Sequence, residues 1–298
     1  MLGVQPQASS GEEAPLAWSA GSEPIVAARP RWIGERLRLR ARIEHLLRRL
    51  GTGFLFVTFG VGALVVAGVE FPVLAWRSEP GEARERVAQR LIQRAFAFFV
   101  RLGTALHLFE VRETGTDRLA HGASLVVANH PTLLDAVFVI SRMPQADCVV
   151  KSEAWRNPFL RHVVRIAGYI PNGEGPHVVD TCVERLRAGR SVVLFPEGSR
   201  SPAQGLRPFK RGVGHIALRS GCPITRVFLT CTPPALKKDQ SWWAIPDRKL
   251  VITMDVESPI DARDLLPAGE AIPISRAVRR VTAALYESFD AKRLDAGA

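Results

Sequence analysis

The segment from Asn129 to Asp135 holds a histidine and an aspartate five residues apart, directly after a short apolar stretch. If that stretch is a strand and a helix follows it, His130 lies at the junction, where its ring can turn back towards the helix. Asp135 would then accept a hydrogen bond from one ring nitrogen, which leaves the other nitrogen free to remove a proton from an alcohol. The spacing thus indicates a general base with its orienting carboxylate. A capped turn with a solvated aspartate is the alternative, and the pair alone does not exclude it.

A second polar segment follows another apolar stretch and reads Phe-Pro-Glu-Gly-Ser-Arg from Phe195 to Arg200. Arg200 can form a forked pair with a phosphate, and the amides and hydroxyl around Gly198 and Ser199 can add hydrogen bonds. Glu197 would repel an anion unless it orients Arg200 or binds a hydroxyl. The segment therefore suits a phosphate or oxyanion site, although a polar turn closed by a salt bridge would use the same residue types.

Two lysines can add positive charge near these segments. Lys210 follows the second segment closely, and Lys151 ends a predicted strand. Both lysines also fit ordinary solvated positions, at a helix start and at a strand end. No cluster of ligand residues indicates a metal. The four cysteines contain no C-x-x-C pair, so we expect reduced thiols rather than a zinc or disulfide framework.

The elements that must position these residues alternate between strands and helices. Strands are predicted over 106–115, 124–128, 147–151, 168–171, 191–195, 223–231 and 249–256, and helices over 131–142, 155–167, 177–188, 212–220 and 272–289. Alternation with nearly continuous apolar strands predicts an α/β domain with a largely parallel central sheet flanked by helices. Ligands bind such sheets beyond the carboxyl ends of the strands, which is where both polar segments fall.

The first part of the chain differs in composition from the rest. Residues 1–28 are rich in small and polar residues and predict a disordered tail. Residues 29–109 predict basic and apolar membrane-docking helices, and residues 110–298 the α/β domain. Eight arginines lie between positions 29 and 49, and the next twenty residues, 50–69, carry no charge. Twenty helical residues span about 30 Å, the thickness of a bilayer core.

The apolar segment predicts an N-terminal membrane-associated helical pair. A bend is expected at Glu70-Phe71-Pro72 and the second helix over 82–109, with arginines around its apolar stripe. Both flanks are basic, so the sequence leaves open whether the pair spans the membrane or lies in one leaflet. A buried core helix is the less favoured alternative.

The whole chain of 298 residues carries a net charge of +11, and 47% of its residues are hydrophobic. That balance allows a sizeable core and favours an anionic partner, which can be nucleic acid, phospholipid headgroups or an acidic carrier protein. Aromatic and basic residues are not interleaved as in nucleic-acid-binding motifs, so we expect membrane lipids and no nucleic acid as partners.

Taken together, the two segments resemble those of the 1-acylglycerol-3-phosphate acyltransferase family, the glycerolipid acyltransferases. The pattern His130-x-x-x-x-Asp135 is followed after about sixty residues by the second segment, and Phe209-Lys210 with Gly212 also fits. The resemblance covers roughly residues 100–260. It implies an enzyme at the inner membrane, its catalytic domain on the cytoplasmic face, that moves a fatty acyl group to a lysolipid hydroxyl.

The resemblance also implies roles for individual residues. His130 would be the general base and Asp135 its orienting carboxylate. The substrate-binding residues would be Glu197, Gly198, Ser199, Arg200, Lys210 and Lys151. The acyl donor would be a thioester of coenzyme A or of acyl carrier protein, and no resident cofactor is expected.

Two departures from the family pattern concern the acceptor site. The block Gly168 to Glu174 lacks the arginine of the family's Gly-x-x-Phe-Ile-x-Arg arrangement, and Arg226 replaces a second proline in the late strand. We therefore expect weak use of lysophosphatidic acid and an acceptor such as a lyso-ornithine lipid or an aryl-polyene lipid. A non-enzymatic membrane-anchored protein that binds anionic lipid, and a lipid hydrolase, remain as alternatives.

Overall fold

A computed structural model describes most of the chain beyond residue 30. The described residues are 31–120, 122–157, 160–173, 176–202, 204–237, 240, 248–267 and 272–297. The disordered tail predicted over 1–28 lies outside them. Contacts divide the chain into two compact units, residues 1–43 and 44–298, and the domain limits expected at residues 29 and 110 stay predictions.

Within the described residues, seven strands form one sheet in the order β1-β7-β6-β2-β5-β3-β4. The strands are β1 (Phe109–Thr114), β2 (Leu125–Ala128), β3 (Asp147–Lys151), β4 (Ile170–Asn172), β5 (Val192–Leu194), β6 (Ile224–Thr232) and β7 (Leu250–Val256). Neighbouring strands are parallel except for β6 and β7, which are antiparallel. The largely parallel sheet predicted from the sequence is confirmed.

The same described ranges contain nine α-helices. They are α1 (Arg31–Val65), α2 (Phe71–Arg77), α3 (Glu82–Ala105), α4 (Asp135–Ile140), α5 (Ser152–Arg156), α6 (Arg161–Ile166), α7 (Pro176–Arg187), α8 (Gly212–Ser220) and α9 (Ile274–Gly297). Strand β3 and helix α8 have the predicted limits, and α9 runs eight residues beyond its predicted end at 289.

Strand β2 explains why helices cover both faces of the sheet. Its four residues, 125–128, are apolar and fully buried. Val126 packs in one apolar cluster with Phe99 and Phe138, and Val127 packs in another with Ile216. Successive side chains of a strand point to opposite faces, so an uninterrupted apolar strand needs helices on both sides. The polar segments are left at the edge of the sheet.

The helix predicted over 131–142 begins only at Asp135. The carboxylate of Asp135 accepts hydrogen bonds from the amide and the hydroxyl of Thr132, both at 2.6 Å. These bonds hold residues 131–134 in a turn. The proline at position 131 had instead suggested that these residues form the first turn of the helix.

The helix predicted over 155–167 is also different, because it is divided into α5 and α6. Asn157 follows α5 with an extended ψ of 121°. It precedes Pro158, and the proline ring disfavours the helical conformation of the preceding residue. The sequence contained this signal, and the apolar periodicity masked it.

Helix α1 continues through a π-helical turn, Val66–Glu70, into α2. The segment Arg42–Arg77 is by length and composition able to cross a membrane. Its most apolar stretch of 18 residues has a mean hydropathy of 2.1, and 11% of that stretch is buried. The exposed apolar side chains on this segment include those of Phe54, Leu64 and Trp76, the last of them 83% exposed.

The bend expected at Glu70-Phe71-Pro72 is wrong, because the chain is helical through these residues. The amide of Phe71 bonds to the carbonyl of Val66, five residues back, and Pro72, which has no amide hydrogen, follows directly after this π-helical turn. The break falls instead between α2 and α3, where Gly81 has a φ of +154°.

Helix α3 is fastened to the α/β layers by buried polar side chains. Arg190, whose side chain is 2% exposed, forms ion pairs with Glu85 on α3 and with Asp147 at the start of β3. Gln89 on α3 donates to Asp147 at 2.9 Å and to the carbonyl of Ala167 at 2.8 Å. The second predicted helix is therefore part of the folded unit that carries the polar segments.

Candidate active site

Asn129 fixes the end of β2 before the first polar segment begins. Its side-chain amide donates to the carbonyl of Leu229 at 2.8 Å, and its oxygen accepts from the amide of Leu229 at 2.7 Å. These two bonds replace the ladder contacts that β2 and β6 would otherwise make here. They set the direction in which the chain enters His130.

His130 and Asp135 form the pair that their spacing predicts. Nδ1 of His130 lies 2.7 Å from Oδ2 of Asp135, which is 1% exposed. Because a carboxylate only accepts hydrogen bonds, Nδ1 carries the proton and Nε2 of the neutral ring has a lone pair. Burial raises the pKa of Asp135 and outweighs the hydrogen bonds from His130 and Thr132. The ring of His130 also packs on Phe195, with 4.7 Å between the ring centroids.

Glu197 joins the two polar segments from behind. Its Oε1 accepts from the amide of His130 at 2.9 Å and from the hydroxyl of Ser201 at 2.8 Å. Its Oε2 accepts from the amide of Arg207 at 3.0 Å, and the amide of Ser201 donates to the carbonyl of His130 at 2.8 Å. Both oxygens of this buried carboxylate thus accept hydrogen bonds from the protein itself, so Glu197 holds the two polar segments in position.

Gly198 and Lys210 lie against each other at the front of the second segment. Gly198 has a φ of +68°, and a Cβ atom there would come within 2.8 Å of Cε of Lys210. Any other residue would be strained and would displace the lysine. The amide of Lys210 bonds to the carbonyl of Pro196 at 2.9 Å. The glycine therefore serves both the turn and the placement of the lysine.

These residues surround a cavity of about 700 Å³. His130, Gly198, Lys151 and Lys210 all line it, together with Asn172 at the end of β4. The remaining wall is largely apolar and comes from β3, β5, α7 and α8, with Val149, Leu194, Val178, Val179, Val213 and Ile216. The cavity thus combines a histidine, two lysines and an apolar wall.

A second cavity of about 570 Å³ lies between α1, α3 and α6. Its lining is almost entirely apolar and includes Phe59, Phe96 and Phe99. Val150 of β3 lines both cavities. The apolar space beside the helical segment therefore approaches the cavity that contains His130.

Arg200 and Ser199 do not line the cavity of His130. Nη1 of Arg200 donates to the carbonyls of Leu236 and Lys237, at 3.0 and 2.9 Å. The structure thus brings together His130, Gly198, Lys210 and Lys151, with Asp135 and Glu197 behind them. It directs Arg200 into the chain that follows β6.

Sequence reasoning missed the residues that hold the site in shape. Thr132, Ser201 and Arg207 bind the carboxylates of Asp135 and Glu197. A threonine three residues before an aspartate is a local signal that could have been used. The amides of His130 and Arg207 carry no signal, because a backbone donor is present at every residue except proline. Among the described residues, no group of three or more His, Cys, Asp and Glu could hold a metal ion.

Residues 110–230 match the model of the Acyltransferase family. A 1-acyl-sn-glycerol-3-phosphate acyltransferase of Saccharomyces cerevisiae is 28% identical over 159 residues, which cover 50% of this chain and 51% of the relative. The protein of the same name in Escherichia coli K12 is 32% identical over 125 residues, 39% of this chain and 51% of the relative. The chain spans about half the length of these relatives, and the resemblance predicted from the motifs is confirmed.

The fold has a counterpart among solved structures. The crystal structure of the 1-acyl-sn-glycerophosphate (LPA) acyltransferase PlsC from Thermotoga maritima superposes with a TM-score of 0.55 at 20% identity. The match covers 83% of this chain and 97% of that chain. At this identity the likeness shows a common fold, and the chemistry must be argued from the residues of this chain.

Proposed function

We propose, on the premise that residues 110–230 carry an Acyltransferase domain, that the protein is a membrane-associated O-acyltransferase. In this proposal it moves a fatty acyl group from a thioester to the free hydroxyl of a lysophosphatidic-acid-type lipid. The observation that carries the proposal is the ordered His130–Asp135 pair, whose histidine shares a cavity with Lys151 and Lys210. The names of the two relatives above give the reaction type.

His130 acts as the general base in the proposed reaction. Nε2 takes the proton of the acceptor hydroxyl while the oxygen of that hydroxyl forms a bond to the thioester carbonyl carbon. When the carbon–sulfur bond breaks, the thiolate leaves and takes up the proton from the imidazolium. Asp135 holds the ring in the productive tautomer and stabilises the imidazolium, as a buried carboxylate does in a triad. General-base catalysis of this kind contributes about 10²- to 10⁴-fold.

Lys151 and Lys210 supply the positive charge for the acceptor's phosphate. Both line the cavity of His130. Asn172 and Gly173, from the block that lacks the family's arginine, line the same cavity as these two lysines. The lysines favour an acceptor that carries a phosphate, whereas the missing arginine had suggested an acceptor without one. Arg226 does not contribute, because its guanidinium is paired with Glu257.

The apolar space beside α1 accommodates an acyl chain in this proposal. The cavity of about 570 Å³ is lined by apolar side chains and shares Val150 with the cavity of His130. A chain lying there would hold its thioester or ester end near the base. The donor is the thioester of coenzyme A or of acyl carrier protein, and the reaction needs no resident cofactor.

The segment that precedes α3 supports the proposed membrane association. Arg42–Arg77 has the length and composition of a spanning helix, and Leu64 and Trp76 expose apolar surface. Arginines flank this segment on both sides. They favour a membrane with anionic lipid, for which we propose the inner membrane with the α/β domain on its cytoplasmic face.

An acceptor panel tests the proposed function. The full-length protein in phospholipid vesicles receives acyl-coenzyme A or acyl carrier protein thioester with lysophosphatidic acid, a lyso-ornithine lipid or a monoacylglycerol. We expect transfer to lysophosphatidic acid, with a KM raised at least tenfold by Lys210→Met and by Lys151→Met. Lys249→Met, which changes a lysine outside the cavity, serves as the control and should leave the KM unchanged.

Two outcomes would contradict parts of this proposal. Transfer to a lyso-ornithine lipid without transfer to lysophosphatidic acid would remove the phosphate-bearing acceptor and retain the reaction type. Thioester that stays intact with every acceptor would favour the non-enzymatic lipid-binding protein. Thioester or lipid ester cleaved to free fatty acid would favour the hydrolase.

A further inference from the structure

We propose that Arg200 is a positioning residue that holds the segment after β6 against the turn carrying His130. The inference rests on the proposed acyl transfer. It replaces the contact with the acceptor phosphate that the motif suggested for Arg200. The segment concerned is Pro233–Lys237, which we call the clamp segment.

The hydrogen bonds of Arg200 point into the chain. Nη1 has two N–H groups, and it donates to the carbonyls of Leu236 and Lys237 at 3.0 and 2.9 Å. Arg200 is absent from the residues that line the cavity of His130. Both N–H groups of Nη1 are thus used by the clamp segment, and the position of Arg200 outside the cavity lining argues against a contact with a phosphate bound in that cavity.

The clamp segment is bound at a residue with an unusual backbone conformation. Leu236 has a φ of +56°, in the left-handed region that bulky residues rarely adopt. Its carbonyl accepts from Arg200 and also from the amide of Leu133 at 3.1 Å. A conformation of this kind persists only where its surroundings enforce it, and such sites concentrate near functional residues. The contact from Arg200 is one of the constraints that enforce it here.

Leu133 links the clamp segment to the turn of residues 131–134, which we call the catalytic turn because it connects His130 with Asp135. It lies between His130 and Asp135 and itself lines the cavity. Without the hydrogen bond from Arg200, Leu236 would relax to a negative φ. Its carbonyl would then move away from the amide of Leu133. The turn would then lose a constraint two residues from the aspartate that orients the base.

The other end of Arg200 is fixed to the same site. Its carbonyl accepts from Nε of Arg207 at 3.1 Å, and the amide of Arg207 bonds to Glu197, which binds the amide of His130. A series of hydrogen bonds thus runs from His130 to Leu133, and the backbone of residues 130–133 closes it into a ring. Its members in order are His130, Glu197, Arg207, Arg200, Leu236 and Leu133. Removing Arg200 opens this ring without touching the cavity.

Steady-state kinetics separate this role from phosphate binding. In full-length protein with lysophosphatidic acid, we expect Arg200→Gln to lower kcat at least tenfold and to change KM less than twofold. Arg200→Lys should recover part of kcat, because an ammonium can still donate to two carbonyls. Lys210→Gln is the matched comparison in the cavity, and its main effect should be a higher KM. A raised KM with unchanged kcat in both Arg200 variants would overturn the inference.

Hydrogen exchange tests the inference independently of catalysis. Peptides covering residues 131–138 and 232–237 should exchange at least tenfold faster in Arg200→Gln, and less so in Arg200→Lys, while Lys210→Gln leaves them unchanged. Unchanged exchange in Arg200→Gln would overturn the clamp. If the wild-type protein transfers no acyl group, the proposed function fails, and the exchange data still decide whether Arg200 holds the segment.

Discussion

The backbone amide of His130 donates to the buried carboxylate of Glu197 at 2.9 Å, across 67 residues of sequence. This contact joins the two polar segments just after the end of β2, at His130. It explains why an acidic residue stands inside a motif whose other members suit an anion. The carboxylate binds groups of the protein itself, while Lys210, which packs against Gly198, lines the cavity.

Glu197→Gln should impair both folding and activity. A carboxamide oxygen can replace one acceptor, but its NH₂ group would face an amide or hydroxyl that also donates. A buried donor without an acceptor costs about 1–3 kcal/mol. We expect a loss of stability in that range by chemical denaturation, together with a reduced kcat. Glu153→Gln, an exposed change on α5, is the control. Equal stabilities of the two variants would contradict the bridging role of Glu197.

Glu85 should contribute stability that depends on pH. Burial works to raise the pKa of Glu85, but the hydrogen bonds and charges of Arg185 and Arg190 prevail and lower it below the usual range. A lowered folded pKa means that the ionised carboxylate stabilises the fold above the unfolded pKa of about 4.3 and that this contribution is lost as pH falls through the folded value.

Denaturation of Glu85→Gln at several pH values measures this contribution. We expect a loss of about 1.5–3 kcal/mol at pH 7, the range for hydrogen bonds to charged groups. The difference from wild type should shrink as pH falls below about 4.3, where the unfolded chain takes up a proton at Glu85, and should vanish at the lower pH where the folded carboxylate is protonated as well. A difference that stays constant down to pH 3 would show that the ion pairs do not carry it.

The buried cysteines should react slowly with alkylating reagents in the native protein. Burial raises the pKa of Cys148 and of Cys182 to about 12, and that of Cys231 to about 11. Because the thiolate is the nucleophile, a raised pKa lowers the reactive fraction at pH 8. Mass spectrometry after iodoacetamide treatment should show Cys222 modified first, with Cys148 and Cys182 reacting fully only after denaturation. Native modification of Cys148 ahead of Cys222 would contradict the burial described here.

Exposed apolar residues on the N-terminal helical segment should determine membrane binding. Phe54, Leu64 and Trp76 are 57%, 56% and 83% exposed, and none of them lines a cavity described above. Each large apolar side chain contributes about 1.5–3 kcal/mol when fully buried, so replacing all three by serine should weaken vesicle partitioning about 100-fold or more. Ile274→Ser, at a residue 62% exposed on α9, is the matched control. Unchanged flotation of the triple variant would show that the segment is not the anchor.

The sequence was sufficient to predict features that depend on local periodicity. The apolar run of β2 and the spacing of His130 and Asp135 predicted the sheet and the hydrogen-bonded pair, because both depend on residues close in sequence. Lys210 was expected near the site from its motif, and the cavity includes it. His130, Asp135 and Lys210 could be predicted as site residues because their side chains are polar or charged and follow predicted strands or a recognisable motif.

The destination of Arg200 could not be predicted in the same way. Its acceptors are the carbonyls of Leu236 and Lys237, 36 and 37 residues along the chain. Any residue provides a carbonyl, so only the folded path of the chain after β6 determines that these two lie within reach. The same reason applies to the π-helical turn before Pro72, which depends on how the backbone accommodates the proline.

In the proposed reaction His130 is the base that activates the acceptor hydroxyl, and rapid-quench kinetics of the first turnover measure its contribution. Full-length wild-type protein, His130→Ala and Asp135→Asn are each mixed with an acyl thioester and lysophosphatidic acid, and the diacyl product is followed. We predict a loss of at least about 10²- to 10⁴-fold in the rate of His130→Ala. A loss is also expected for Asp135→Asn, whose amide still binds the ring but favours the wrong tautomer. Product formed by folded His130→Ala at the wild-type rate would show that His130 is not the base.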